Sequence, residues 1–342
     1  MSNAISCILR AATRKKDEFF NVLTFCSHER FETGLAKTNC RFFAIQGQGI
    51  KTWNKSYAPL PANYTVLNGN LGEHQLTPDV DFDLVLSQSK HAHYKIAKQI
   101  SDQLHLPLVS LEHCLPPLQY TKDHLNQFKS MRGHINVFIS EFSRERWGWE
   151  KDEVVVIHHG VDTELFSPND NMVEKKNKIL SVVNDFRNRD YCCGYGFWEE
   201  VTKELPRLHI GDSPDGWSKP AASIPELIMR YRESSVFVDT ASLSPIPTVV
   251  LEAMSCGSLV VSYGNAMVPE VITDGYNGFI RSDVKSMRQL LIEILKDPFK
   301  NEYQQMRERA RETIIKKFSM DKFVDSWNKI FRKASEIVWT GE

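Results

Sequence analysis

Charge of one sign is what this sequence lacks most plainly: 42 Lys and Arg stand against 43 Asp and Glu, a formal net charge of -1. No global field favours nucleic acid or an anionic membrane, although that balance is compatible with a local basic patch. Cysteine is sparse and odd in number, seven in all with no repeating spacing, and the adjacent Cys192 and Cys193 are poorly placed to pair. A disulfide framework is excluded, and a reduced, cytoplasmic compartment is expected. Long apolar runs are missing too. No stretch reaches the ~18 residues needed to span a bilayer, and MSNAISCILRAATRKKDEFF (1–20) has too short an apolar run for a secretory signal. No transmembrane segment is expected. HAH (91–93) and the vicinal cysteines lack companion ligands at zinc spacing, so no metal is expected either.

What is present is an ordinary globular composition, 42% hydrophobic and 25% charged, at a length that favours two domains. Short apolar runs, several of them β-branched, alternate with helical patterns: FNVLTF (20–25), CRFFAI (40–45), YTVLNG (64–69), DLVLSQ (83–88), PLVSLEH (107–113), INVFIS (135–140) and VVVIHH (154–159). Runs that are apolar on both faces read as buried parallel strands, with crossover helices such as 91–103 and 141–147 between them. The polar stretch SPNDNMVEKKNK (167–178) reads as a linker, and a second series follows: KILSVVND (178–185), RLHIGD (207–212), SVFVDT (235–240), SLVVSY (258–263) and GFI (278–280), with helices at 223–233 and 248–256. The expectation is α/β architecture with two doubly wound domains in tandem, 1–167 and 168–318. A C-terminal helix, 319–342, is expected to pack back on the first domain. Parallel sheets bind ligands beyond the carboxyl ends of their strands, so two such domains facing one another would make a cleft lined by those loops.

The richest segment for chemistry is 238–280. Pro247 fits the first turn of a helix, and the N–H groups of Thr248 and Val249 would then be open to phosphate oxygens. Glu252 lies about one turn further on, suited to accept hydrogen bonds from the hydroxyls of a ribose. Gly257 ends the helix, and DGYNG (274–278) resets the chain. For LEAMSCG alone, plain helix-Gly-strand architecture is an equally good account; the whole run is harder to dismiss.

LEAMSCGSLVV (251–261) with VPEVITDGYNGFI (268–280), together with VVVIHHGVDTELFSP (154–168), resembles the GT-B glycosyltransferases, most closely the retaining family GT4. The resemblance implies the GT-B fold, two Rossmann-like domains across a cleft, and a nucleotide-diphosphate sugar held mainly by the C-terminal domain as co-substrate. No other cofactor is implied. Glu252 matches the second acid of the family's Glu-x7-Glu motif and would bind ribose. The first acid is replaced by Ser244, which can still hydrogen-bond a hydroxyl but brings no charge. Arg187 and Arg189, after the first strand of the second domain, stand where the family neutralises the leaving diphosphate. Arg189 is the better candidate because Asp190 beside it would orient it; two solvated arginines in a turn is the plainer account. Lys219 is the candidate second cation.

On the N-terminal side, PLVSLEHCLPP resembles the strand whose terminal histidine faces donor sugar and acceptor, which nominates His113, with Glu112 beside it. Ser27 and His28, in CSHER after the first strand, are further acceptor-side candidates, although a capping role accounts for them equally. Asp81 and Asp83 mimic a metal-binding DxD but stand at a strand entrance, where capping is expected. GQG (47–49) reads as a tight turn, and SRERWGWEK (143–151) as an amphipathic helix ending in packed tryptophans. The family logic implies a metal-independent transfer of a hexosyl or pentosyl group with retention, to an acceptor that is a glycan, a small molecule or a modified DNA base. Nucleic acid enters only as such an acceptor. The rivals are a nucleotide-sugar-binding protein that has lost catalysis, motivated by Ser244, and a GT-B sugar-nucleotide epimerase. A phosphorylase is disfavoured because no lysine motif for a pyridoxal cofactor stands out.

Overall fold

The computed structural model describes residues 18–69, 80–168 and 176–337. The segment read as lacking a signal (1–20) and the linker at 167–178 lie largely outside the described residues. The chain forms two compact units, Met1–His158 with Asp321–Glu342, and His159–Met320.

The first unit runs β1 (Phe20–Phe25), α1 (Glu29–Leu35), β2 (Cys40–Gln46), β3 (Tyr64–Asn68), β4 (Leu84–Ser87), α2 (Tyr94–Leu104), β5 (Leu108–Glu112), α3 (Lys122–Lys129), β6 (Ile135–Phe138), α4 (Glu141–Arg146) and β7 (Val155–Val156). Its sheet has the order β3-β2-β1-β4-β5-β6-β7, with every pairing parallel. All residues of β4, β5 and β6 are buried, which is why these runs show no polar alternation. Helices start where a hydroxyl is available: Thr121 and Ser140 each accept the backbone N–H three residues on.

The second unit runs β8 (Lys176–Val182), α5 (Asp190–Cys193), α6 (Tyr195–Thr202), β9 (Arg207–Ile210), α7 (Ile224–Glu233), β10 (Ser234–Asp239), α8 (Thr248–Ser255), β11 (Val260–Ser262), α9 (Val268–Val271), β12 (Phe279–Ile280), α10 (Val284–Lys296) and α11 (Asn301–Lys317). Its parallel sheet has the order β12-β11-β10-β8-β9. Successive residues of β10 feed opposite faces of the sheet. Phe237 joins Leu180, Leu251 and Met254, whereas Val236 and Val238 join Ile179, Trp198 and Leu291. In both sheets the strand order reverses once, at β1/β4 and at β8/β10, and ligands of such folds bind beside those reversals.

The unit boundary falls at His158/His159, earlier than the polar stretch suggests. Val161 exchanges backbone hydrogen bonds with Phe318 and Met320, both 2.8 Å, and the Phe166 carbonyl accepts Ser255 Oγ at 2.5 Å. Residues 161–166 are therefore strapped onto the second unit before the chain turns polar. Asp162 caps this stretch through the Leu165 N–H at 3.1 Å. The final helix α12 (Met320–Ser335) belongs, from Asp321 on, to the first unit. Phe323 meets the edge of Phe31 at 5.5 Å, Phe331 meets Phe42 at 6.1 Å, and Asn328 Oδ1 accepts the Asn39 N–H at 2.9 Å.

Gly47, Gln48 and Gly49 all have positive φ in a turn closed by paired backbone bonds between Gly47 and Ile50. Asp83 Oδ2 accepts the Asn21 N–H at 2.8 Å at the entrance of β4, and the Asn21 side chain donates to the Asp81 carbonyl. Trp147 and Trp149 are buried, with the Arg144 guanidinium folded back onto the Trp149 carbonyl.

Candidate functional site

At the β8/β10 reversal the loops after three strands are tied together. The Cys192 carbonyl accepts the N–H groups of Ser242 (2.9 Å) and Leu243 (3.2 Å), and Thr240 Oγ1 donates to the Cys193 carbonyl at 3.0 Å. The backbones approach so closely that a Cβ on Gly194 would stand 2.3 Å from the Thr240 carbonyl. The loop after β9 joins them: the Asp185 N–H reaches the Asp212 carbonyl, and Asn184 Oδ1 accepts the Asp212 N–H at 3.0 Å. Ser244 sits half-buried in the β10–α8 loop so held.

Two local expectations for this loop need correction. Pro247 is the residue before the helix, at φ -84 and ψ 73, not its first turn. The Thr248 N–H is consequently turned back onto the Ile246 carbonyl at 3.0 Å and is not open to an anion. The Thr248 side chain and Val249 are half-buried at the helix start. Glu252 is only 4% exposed, and its Oε2 accepts the hydroxyl of Tyr231, wholly buried on α7, at 3.0 Å. Beyond β11, Asn277 fastens the 274–278 turn, accepting the Thr273 N–H at 2.7 Å and donating to the Val271 carbonyl at 3.0 Å.

The cations lie around the loops after β8 and β9. Arg187 is exposed, paired with Asp215 at 2.8 Å, and its guanidinium lies 4.5 Å above the Trp217 ring, which stacks on His209 from 4.6 Å. Burial lowers the His209 pKa to about 4. Arg189 is exposed, with Nη1 3.3 Å from the Asn184 carbonyl. Asp190 does not orient it: Asp190 Oδ1 accepts the Gly196 N–H at 2.8 Å, closing the turn into α6. Lys219 is exposed, and its carbonyl accepts the Gly211 N–H at 3.1 Å. Beneath these loops Asp239, at the end of β10, accepts Ser262 Oγ at 2.9 Å, and burial raises its pKa to about 6.

In the first unit the β1/β4 reversal gathers Ser27, His28 and His113. The His113 ring, 5% exposed, has His28 at 5.2 Å and Phe31 at 4.4 Å, both edge-on. Gln88 binds this group together: its amide nitrogen donates to Glu32 Oε1 (2.8 Å) and the Phe25 carbonyl (2.9 Å), and its Oε1 lies 3.4 Å from His113 Nε2. The Ser27 N–H donates to Glu32 at 2.9 Å. Glu112 is corrected from an acceptor-side candidate to a structural residue, because it is fully buried with its oxygens on the N–H groups of Lys90 and Cys114. Among the described residues no group of three or more His, Cys, Asp or Glu could hold a metal ion, and no helix is long and apolar enough to cross a membrane.

Glu32 gives this site a measurable pH signature. Burial raises its pKa from 4.5 to about 7, against the hydrogen bonds from Gln88 and Ser27 that favour the carboxylate. The folded chain thus holds this proton more tightly than the unfolded chain. Its contribution to stability is complete below pH 4.5 and is lost as pH rises to about 7. His93, lowered to about 4 by burial, works in the opposite direction between that value and 6.5. Glu32→Gln keeps an acceptor for both N–H donors and removes the titration. Relative to wild type, the variant should gain about 3 kcal/mol between pH 4.5 and 7 in urea unfolding. Parallel pH profiles for the two proteins would rule this out.

Sequence reasoning missed Tyr231, Gln88, Glu32 and the Asp215–Trp217 seat of Arg187. Gln88 directly follows a strand end at the reversal, a signal that was there to use; nothing in the spacing of Tyr231 pointed to Glu252.

Residues 220–313 match the family described as glycosyl transferases group 1. Over 85 residues the chain is 33% identical to N-acetyl-alpha-D-glucosaminyl L-malate synthase of Bacillus anthracis, a stretch that spans 24% of this chain and 22% of that enzyme. A glycosyltransferase from Rickettsia africae superposes with a TM-score of 0.72 at 15% identity, over 93% of this chain and 99% of that one. Anabaena HepE, in complex with UDP, gives 0.73 at 14% identity over 92% and 100% of the two chains. At these identities the structural likeness shows the fold: α/β, with two parallel sheets flanked by helices, as in the GT-B glycosyltransferases.

Proposed function

We propose that this chain is a glycosyltransferase of the GT-B fold that moves a sugar from a nucleotide-diphosphate donor to an acceptor hydroxyl. One observation carries the reading: the family match at 220–313 spans α8 with Thr248 and Glu252, and the turn at 274–278, in a unit whose loops converge on the same strand reversal. Glu252 takes the ribose, the Thr248 hydroxyl and the chain at Val249 face the diphosphate, and Ser244 meets the sugar. Arg189 and Lys219 stabilise the charge that develops as the diphosphate leaves, with Arg187 contributing the guanidinium edge not spent on Asp215. His113 aligns a substrate hydroxyl, with Ser27 and His28 beside it.

The reaction we infer retains the anomeric configuration. The bond from the anomeric carbon to the diphosphate oxygen breaks, the acceptor oxygen bonds on the same face, and its proton passes to the departing diphosphate. The cationic side chains supply the charge that a metal would otherwise bring, so the transfer, of a hexosyl or pentosyl group, is metal-independent and needs no cofactor. The acceptor is a glycan, a small molecule or a modified DNA base, and the compartment is cytoplasmic. Ser244, where the related motif has an acid, favours one second reading: a nucleotide-sugar-binding protein without turnover.

Thermal unfolding with UDP, ADP and GDP tests the donor site, UDP first because the HepE structure holds it. A ligand at 100 times its Kd should stabilise the chain by about 2.7 kcal/mol. No shift with any of the three sinks the proposal, and a shift without transfer to any of a panel of acceptors selects the second reading.

A further inference from the structure

We propose that Tyr231 is the positioning residue that makes the Glu252 site selective for ribonucleotides over their deoxy counterparts. The inference rests on the ribose role proposed for Glu252 and adds a residue from a different helix to it.

Glu252 lies on α8 and Tyr231 on α7, 21 positions apart, and the two meet at 3.0 Å, Tyr231 Oη donating to Glu252 Oε2. Both are buried, Tyr231 completely and Glu252 to 4% exposure. The tyrosine is itself held on two sides. Its ring packs against Phe237 of β10 at 5.7 Å, and its backbone carbonyl accepts Ser258 Oγ at 2.9 Å. A carboxylate turns easily about its last side-chain bond, and a directed hydrogen bond from a fixed hydroxyl sets that angle.

A carboxyl group held at a fixed angle suits a vicinal diol, because its oxygens then face both ribose hydroxyls. A site built to hydrogen-bond those hydroxyls rejects the analogue that lacks them. Tyr231 therefore acts on discrimination between sugars of the nucleotide, not on binding in general.

The test is titration calorimetry of the full chain with UDP, ADP and GDP and with the 2′,3′-dideoxy form of each. Wild type should prefer the ribonucleotide by roughly 10-fold or more, as expected for hydrogen bonds to a charged acceptor. Tyr231→Phe, which keeps the ring, should shrink that ratio to about 3-fold or less while binding of the dideoxy form stays nearly constant. Glu252→Ala, which leaves no carboxylate for Tyr231 to orient, and the double variant complete a cycle in which the effect of Tyr231→Phe on the ratio disappears. Wild-type discrimination that survives in Tyr231→Phe, or a loss that is the same with and without Glu252, overturns the inference and leaves the ribose role standing. Equal binding of ribo and dideoxy forms by wild type overturns both. Thermal midpoints of the variants are measured alongside. Should Tyr231→Phe fail to fold in buffer, wild type and variant are titrated in a stabilising osmolyte, and an unchanged ratio there overturns the inference.

Discussion

Glu252→Ala should abolish the thermal shift that the donor nucleotide produces in the wild-type chain. The carboxylate is 4% exposed and linked to Tyr231 at 3.0 Å, and alanine brings no charged acceptor in its place. Hydrogen bonds from two ribose hydroxyls to a charged acceptor amount to about 3 to 4 kcal/mol, or roughly 10²- to 10³-fold in affinity. A ligand concentration that saturates wild type then leaves the variant almost empty. The unliganded variant should also melt lower, because the buried Tyr231 hydroxyl loses its acceptor, a cost of about 1 to 3 kcal/mol. Glu252→Gln, which keeps an oxygen for Tyr231, should lie between the two in both measurements. A full shift in Glu252→Ala means that the ribose is held elsewhere.

The second large effect is structural. Gly211→Ala should cost about 4 kcal/mol or more, seen as a fall of roughly 8 to 16 °C in the unfolding midpoint. A Cβ at this position would stand 1.8 Å from the Val183 carbonyl oxygen, a backbone atom that cannot step aside. Gly211 directly follows β9 and Val183 directly follows β8, so the clash pries apart adjacent strand ends. Those ends carry Arg187, Arg189 and Lys219 on their loops, and the Gly211 N–H itself closes the loop on the Lys219 carbonyl. Any donor binding that depends on these cations should weaken along with stability. Gly216→Ala is the control: its φ of +71 strains an alanine, but nothing lies within 4 Å, so a cost of about 1 kcal/mol is expected. Equal melting of the two variants would show that the strand ends have slack which the geometry denies them.

The strands were legible because both faces of each sheet are covered. FNVLTF, INVFIS and SVFVDT had no polar side to confuse the pattern, and their bounds shift by only a residue or two in the structure. The place of α8 was legible too, from Pro247 before it and Gly257, at φ +73, after it. Partners were not legible. Asp190 sits beside Arg189 in sequence yet serves Gly196, since a carboxylate at the start of a one-turn helix finds the backbone N–H groups of the next turn sooner than a mobile guanidinium. Pro247 lies one position outside its expected turn, a shift that redirects the Thr248 N–H. Glu112 looked available because it ends a strand toward the ligand side, but two loops fold over it. The boundary was misread for a related reason: polarity marks where a chain meets water, whereas Val161 and Phe166 had already joined the second unit.

The return of α12 to the first unit has a consequence for synthesis. Phe31 and Phe42, in elements made early, pack against Phe323, Trp327 and Phe331, which leave the ribosome some three hundred residues later. The second unit, His159–Met320, is contiguous and can close as soon as its last helix emerges. The first unit begins earlier and finishes last, and until α12 arrives Phe31 and Phe42 wait for the rings that cover them.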